Sequence, residues 1–130
     1  QMGKGTVSGG TNQYMGTAAL SERDYVHEAI DRADLILRKG FRPKIDSYSA
    51  FFENDRATPT GLAGYLRDRG LSDLTFVGLA HDFCVAWSAI DAARLGFTAT
   101  VIEAATRAID LDGSRDRARA DMRAAGVNLE

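Results

Sequence analysis

Cys84 is the only cysteine in the chain, and its thiol, in the segment GLAHDFCV, is the strongest nucleophile the sequence offers. The run before it, Leu74 to Ala80 (LTFVGLA), is short and almost continuously apolar, which predicts a strand covered on both faces. After it, VAWSAIDAARLG brings Val85, Ala89, Ile90 and Ala93 together and stops at Gly96, which predicts a helix lying on a sheet. The thiol therefore belongs to the carboxyl end of a strand, where open α/β sheets bind ligands. It also belongs to a helix N-terminus, whose partial positive charge favours a thiolate. Many unpaired cysteines are only small buried hydrophobes, and position alone leaves that alternative open.

A thiolate attacking an amide carbonyl needs oxyanion donors, a base and a route for the leaving amine's proton. Backbone N–H groups of the strand-to-helix turn, from Ala80 to Cys84, can supply the donors. Lys39 ends the segment DLILRKG, and Glu103 stands near the end of TATVIEAA (Thr98–Ala105). Both should meet Cys84 at the carboxyl edge of a parallel sheet. A lysine there would stabilise negative charge in a transition state, although alone it reads better as an ordinary surface lysine after a strand. His81 and Asp82 adjoin the thiol in sequence, but a tight turn points neighbouring side chains apart, so they are auxiliary candidates for the base. The segment GKGT (Gly3–Thr6) lacks the upstream glycine and strand of a phosphate loop and carries no weight.

The elements that must position these groups follow from the rest of the chain. Its 130 residues suit one domain and can bury roughly two thirds of their unfolded surface. A net charge of -2 argues against a nucleic-acid partner or an anionic membrane surface. No apolar run reaches membrane-spanning length, and the N-terminus lacks a signal peptide's apolar centre. One cysteine cannot form an internal disulfide, which fits a cytoplasmic protein. Two histidines, His27 and His81, are too few for a histidine-rich metal site.

Residues 1–16 hold five of the thirteen glycines and read as loop. A charged helix is predicted from Ser21 to about Ala33, with Tyr25, Ala29 and Ile30 on one face and His27 solvated. A short strand ending at Lys39 leads into a long aperiodic loop, KGFRPKIDSYSAFFENDRATP, whose aromatic residues argue for order. Thr58 should cap a helix with Pro59 in its first turn and Gly70 at its end. The strand before Cys84, its helix, the strand Thr98–Ala105, a turn at Asp112-Gly113 and a helix from Ser114 to Ala125 complete the order. Arg117 and Asp121 on that last helix read as a solvated pair. Strand–helix alternation at this spacing predicts βαβ units and a parallel α/β sheet with flanking helices.

The segments RKGF (Arg38–Phe41), DSYSAFFEND (Asp46–Asp55), TPTGLAGYLRDRG, GLAHDFCVAWSAIDAARLGF and RAIDLDGS, in this order, resemble the bacterial nicotinamidases (pyrazinamidases), which are isochorismatase-like cysteine hydrolases. The resemblance runs over about residues 33–127. It implies deamidation of nicotinamide to nicotinate and ammonia through a cysteine thioester, within NAD salvage. It places the family's catalytic lysine on Lys39 and its nucleophile on Cys84. Oxyanion donors fall on the backbone N–H groups of Ala80 and Cys84, with a cis peptide at Leu79–Ala80. The family also uses a divalent metal such as zinc.

Two departures qualify the resemblance. The family's triad aspartate and its Asp-x-His metal motif have no counterpart in these residues, so no metal ligand is assigned. His81 stands where the family usually has threonine. The expected fold is thus an isochorismatase-like hydrolase domain over 1–130, partial, lacking its first strands, with 1–20 irregular. The expected function is a nicotinamidase-type hydrolase, weak or inactive alone, with nicotinamide as small-molecule partner. A homo-oligomer or a complementary chain would complete it. The alternatives are a non-catalytic remnant or one half of a split hydrolase, and a sibling cysteine hydrolase acting on another small amide or on isochorismate.

Overall fold

The computed structural model describes the backbone of residues 3–9 and the whole of residues 33–40 and 42–130. The predicted helix from Ser21, together with His27, and the Phe41 position lie outside the described residues. Four parallel strands form one sheet in the order β1 (Gly3–Gly9), β2 (Leu71–Leu79), β3 (Thr98–Arg107) and β4 (Asn128–Leu129). Helices α1 (Leu62–Asp68), α2 (Ala86–Arg94) and α3 (Ser114–Ala124) precede or link β2, β3 and β4. This is the βαβ alternation expected from the sequence.

The strand before Cys84 buries Leu74 and Phe76 completely, while the alternate residues Thr75 and Val77 are half-buried. Its apolar run therefore does not mean two equally covered faces. Leu62 and Leu66 of α1, Ala86, Ala89 and Ala92 of α2, and Ala118 and Met122 of α3 join Leu74, Phe76, Ala99 and Val101 in one core. Small residues on α2 let the helix lie close to the sheet, and Gly96 ends it at a φ of 92° that side-chain-bearing residues rarely adopt.

Several sequence expectations are corrected. Residues 3–9 were expected to be loop, yet they form β1 beside β2, with Val7 opposite Phe76. Ladder hydrogen bonds come from the backbone, so a glycine-rich segment without apolar alternation still pairs where a strand offers an edge. The segment ending at Lys39 forms neither strand nor helix, and Leu35 and Ile36 are 39% and 55% exposed. Apolarity asked for burial there, but among the described residues no neighbouring strand provides a ladder.

Thr58 does not cap a helix. Its N–H and hydroxyl both bond to the Asp55 carboxylate, and Pro59 bridges to Phe52. The helix starts at Leu62, whose N–H reaches the Thr60 hydroxyl at 3.3 Å.

The aperiodic loop is ordered as its aromatic content suggested. Phe51 enters the core, the Tyr48 N–H donates to Asn54 Oδ1 at 2.9 Å, and Thr60 donates through its hydroxyl to the Ala50 carbonyl at 2.6 Å. The third strand continues past its expected end. Phe76 pairs with Val101 but Gly78 pairs with Thr106, so residues 102–105 leave the ladder and Thr106 returns beside the end of β2.

Candidate active site

Directly after β2 the Leu79–Ala80 peptide is cis. Residues His81–Val85 then form a π-helical turn that runs into α2. The Ala80 carbonyl accepts from both Phe83 N–H, at 3.2 Å, and Val85 N–H, at 3.0 Å, which is what widens the turn. Cys84 lies inside this turn and is 2% exposed. The nucleophile candidate thus sits at a strand's carboxyl end and in the first turns of a helical segment, as its sequence context required.

Lys39 reaches this region without belonging to the sheet. Its half-buried ammonium group donates to the Tyr48 carbonyl. The Tyr48 ring in turn meets Phe83 edge-on at 5.7 Å and Trp87 at 5.2 Å. Phe83 precedes Cys84, so the lysine is tied through one residue to the turn that carries the thiol. The Arg56 guanidinium covers the Trp87 ring at 4.1 Å. A further tie is the Ala50 N–H, which donates to the Ser88 hydroxyl of α2 at 2.9 Å. Sequence reasoning did not single out Tyr48, Phe83, Trp87 or Arg56. Their signal was the aromatic density of the loop, which pointed to function but not to a partner.

His81 and Asp82 leave the turn in the direction of β3 and the following loop. Asp82 is 5% exposed, and its carboxylate accepts from Ile109 N–H at 3.0 Å, Asp110 N–H at 2.8 Å and the Ser114 hydroxyl. Burial works against its charge, but bonds from Ser114, Ile109 and Asp110 outweigh that and hold its pKa below the ordinary carboxylate value. Both oxygens are thus committed to fastening the 109–114 loop. His81 is 2% exposed, with Nδ1 at 2.9 Å from the Thr106 hydroxyl and Nε2 at 3.9 Å from Glu103. Burial lowers its pKa, against the pull of Glu103 and Asp82 and with help from Arg115 and Arg119.

Glu103 was expected at the catalytic edge. It instead faces Arg119, with Oε1 3.2 Å from Nη2 and Oε2 3.2 Å from Nε. It lines a cleft of ≈ 520 Å³ together with His81, Thr106, Arg107, Asp110 and Arg115.

Comparison with known proteins bears on this arrangement. The family described as the Isochorismatase domain matches residues 31–129. The nicotinamidase of Acinetobacter baylyi is 55% identical over 104 residues, 78% of this chain and 49% of that protein. An L. infantum structure in complex with nicotinate is 39% identical with a TM-score of 0.71, covering 76% of this chain and 49% of the other. The pyrazinamidase of Pyrococcus horikoshii, solved in complex with zinc, is 28% identical with a TM-score of 0.63, covering 74% and 50%. The chain spans about half the length of the curated relatives it matches. Among the described residues no three His, Cys, Asp or Glu side chains are grouped so that they could hold an ion, so these residues do not by themselves fit a metal.

Proposed function

The chain belongs to the isochorismatase-domain family of hydrolases, and from that premise we propose that it carries two of the three catalytic groups of a nicotinamide amidohydrolase. The observation that carries the reading is the Cys84 turn at the carboxyl end of β2, with Lys39 tied to it through Tyr48. The Cys84 thiolate would attack the carboxamide carbon, and the carbonyl electrons would move onto oxygen. The N–H groups of Ala80 and Cys84 would face that oxyanion, and Lys39 would stabilise the negative charge. Collapse would break the C–N bond, the amine leaving as ammonia once it is protonated, and would leave a thioester. Water would then release nicotinate and restore the thiol. The aromatic group of Tyr48, Phe83 and Trp87 suits a planar ring nearby.

The base for these steps is assigned to neither His81 nor Asp82, because His81 turns its free Nε2 into the Glu103 cleft, which Cys84 does not line, and the 109–114 loop engages the Asp82 carboxylate. No helix of the described residues is long and apolar enough to cross a membrane. We place the protein in the cytoplasm, where reducing conditions keep a catalytic thiol unoxidised.

The test is ammonia release from nicotinamide by the purified 130-residue chain with zinc, beside Cys84→Ala. The two should match. Adding the part of the A. baylyi relative that this chain does not cover should produce turnover that both Cys84→Ala and Lys39→Ala abolish. Turnover that survives Cys84→Ala would overturn the assignment.

A further inference from the structure

His81 is a buried titratable group that the proposed reaction does not use. The Thr106 hydroxyl has one proton, and it donates that proton to the Glu103 carbonyl at 2.8 Å. The 2.9 Å contact between His81 Nδ1 and the same hydroxyl must therefore be donated by the imidazole. Neutral His81 is then the Nδ1–H tautomer, and Nε2 carries a bare lone pair. That atom is buried, has no hydrogen-bond partner, and belongs to a side chain that lines the cleft shared with Glu103. The nearest carboxylate oxygen, Glu103 Oε2, is 3.9 Å away. At this distance the two acceptors form no hydrogen bond, but a proton on Nε2 would make them an ion pair that a small approach could close.

We propose that His81 and Glu103 form a proton-operated latch on the turn that carries Cys84. A proton taken up at Nε2 turns two opposed acceptors into an ion pair and draws the first residue of the turn onto β3. The inference rests on reading Cys84 as the nucleophile, and it adds acid control of that nucleophile's setting. Groups facing His81 come from every element around it. Glu103 lies on β3 and Asp82 on the turn itself, while Arg115 and Arg119 lie on α3. Arg107 of β3 and Asp110 of the next loop line the same cleft. Arg119 holds Glu103 through both carboxylate oxygens, so the carboxylate is anchored near His81.

The experiment is long-range proton–nitrogen NMR on the chain with His27→Asn, which leaves His81 as the single imidazole. At neutral pH the spectrum should show the Nδ1–H tautomer. Glu103→Gln should lower the protonation midpoint by at least about half a pH unit, roughly threefold in proton affinity. The second readout is the rate at which Cys84 reacts with a pyridyl disulfide that attacks thiols in acid, which needs no turnover and so stands apart from the nicotinamide assay. The ratio of this rate, unsubstituted Glu103 over Glu103→Gln, should be one above the His81 midpoint and fall at least about threefold below it. An Nε2–H tautomer, an unmoved midpoint or a ratio constant with pH would overturn the latch. A shift of the His81 resonances on adding Zn²⁺ at fixed pH would make a metal, not a proton, the ligand and would overturn it too.

Discussion

Replacing Asp82, buried in the turn after β2, should be costly, and more so as alanine than as asparagine. Its Oδ1 accepts from Ile109 N–H, and its Oδ2 accepts from both Asp110 N–H and the Ser114 hydroxyl. Alanine strands three donors around a site that is 5% exposed. Hydrogen bonds to a charged group contribute about 1.5–3 kcal/mol each, but they are not additive, and dismantling a buried charged network costs about 3–5 kcal/mol. Asparagine can keep its oxygen at the Oδ2 position and hold Asp110 and Ser114. Its NH₂ then meets the Ile109 N–H donor to donor, for a loss of about 1.5–3 kcal/mol. Urea unfolding at neutral pH should rank wild type above Asp82→Asn above Asp82→Ala. Hydrogen exchange at the Ile109 and Asp110 amides should lose protection in Asp82→Ala, and at Ile109 in Asp82→Asn. The sign with pH follows, because the folded-state pKa of Asp82 lies below the ordinary value of 3.8. Its contribution is complete above that value and is lost as pH falls through the lower folded one. An asparagine variant within about 0.5 kcal/mol of wild type, or an Ile109 amide equally protected in both, would refute the clasp.

Ser88→Ala should destabilise by about 1–3 kcal/mol, since the buried Ala50 N–H loses its acceptor, and Ser88→Thr should recover part of it. Equal unfolding midpoints for wild type and the alanine variant would count against that bond. Phe76→Ala empties a fully buried site in the main core and should cost about 3–5 kcal/mol by denaturant unfolding. His81 binds its proton less readily folded than unfolded, so stability should rise as pH increases through the depressed value toward 6.5 and then level off. A fall in stability over that range, specific to His81, would reverse the assigned sign. Carboxyl NMR should place Asp55 at about 2, chiefly through the Thr58 hydroxyl, and Thr58→Val should move it upward.

Where a segment carries its own periodicity, sequence and structure agree. The strand before Cys84, α2, β3 and α3 fall within a few residues of their expected bounds because each buries a face whose spacing is visible in one dimension. Disagreement begins where a partner decides. The Leu35–Leu37 run reads as strand by apolarity, but a strand exists only by pairing, and no described neighbour supplies the ladder. Thr58 and Pro59 spell a helix start, yet Asp55 captures Thr58 first, and the helix waits for Leu62. β4 has two residues, too few to show any period. His81 meets Thr106 only because β3 bulges out of register after Val101, and nothing in a residue pattern announces that shift. The cis peptide was legible through family resemblance alone.

The chain separates placing a nucleophile from moving a proton. The Cys84 turn is held from within by the Ala80 carbonyl, which accepts from Phe83 and Val85. On one flank Tyr48 lies against Phe83 and Trp87, and Ser88 binds Ala50. On the other, His81 is tied to Thr106, and Asp82 fastens the 109–114 loop. These ties lie within residues 48–114, and Lys39 joins them from outside that span through the Tyr48 carbonyl. The ties also explain why neither titratable neighbour of Cys84 serves it. Asp82 binds the loop as a carboxylate, and His81, held at Nδ1 by Thr106, turns its unpaired Nε2 into the cleft beside Glu103, whose lining does not include Cys84. The residues that hold the nucleophile most firmly are therefore poorly suited to serve it as a base, and proton transfer has to be supplied from another part of the completed site.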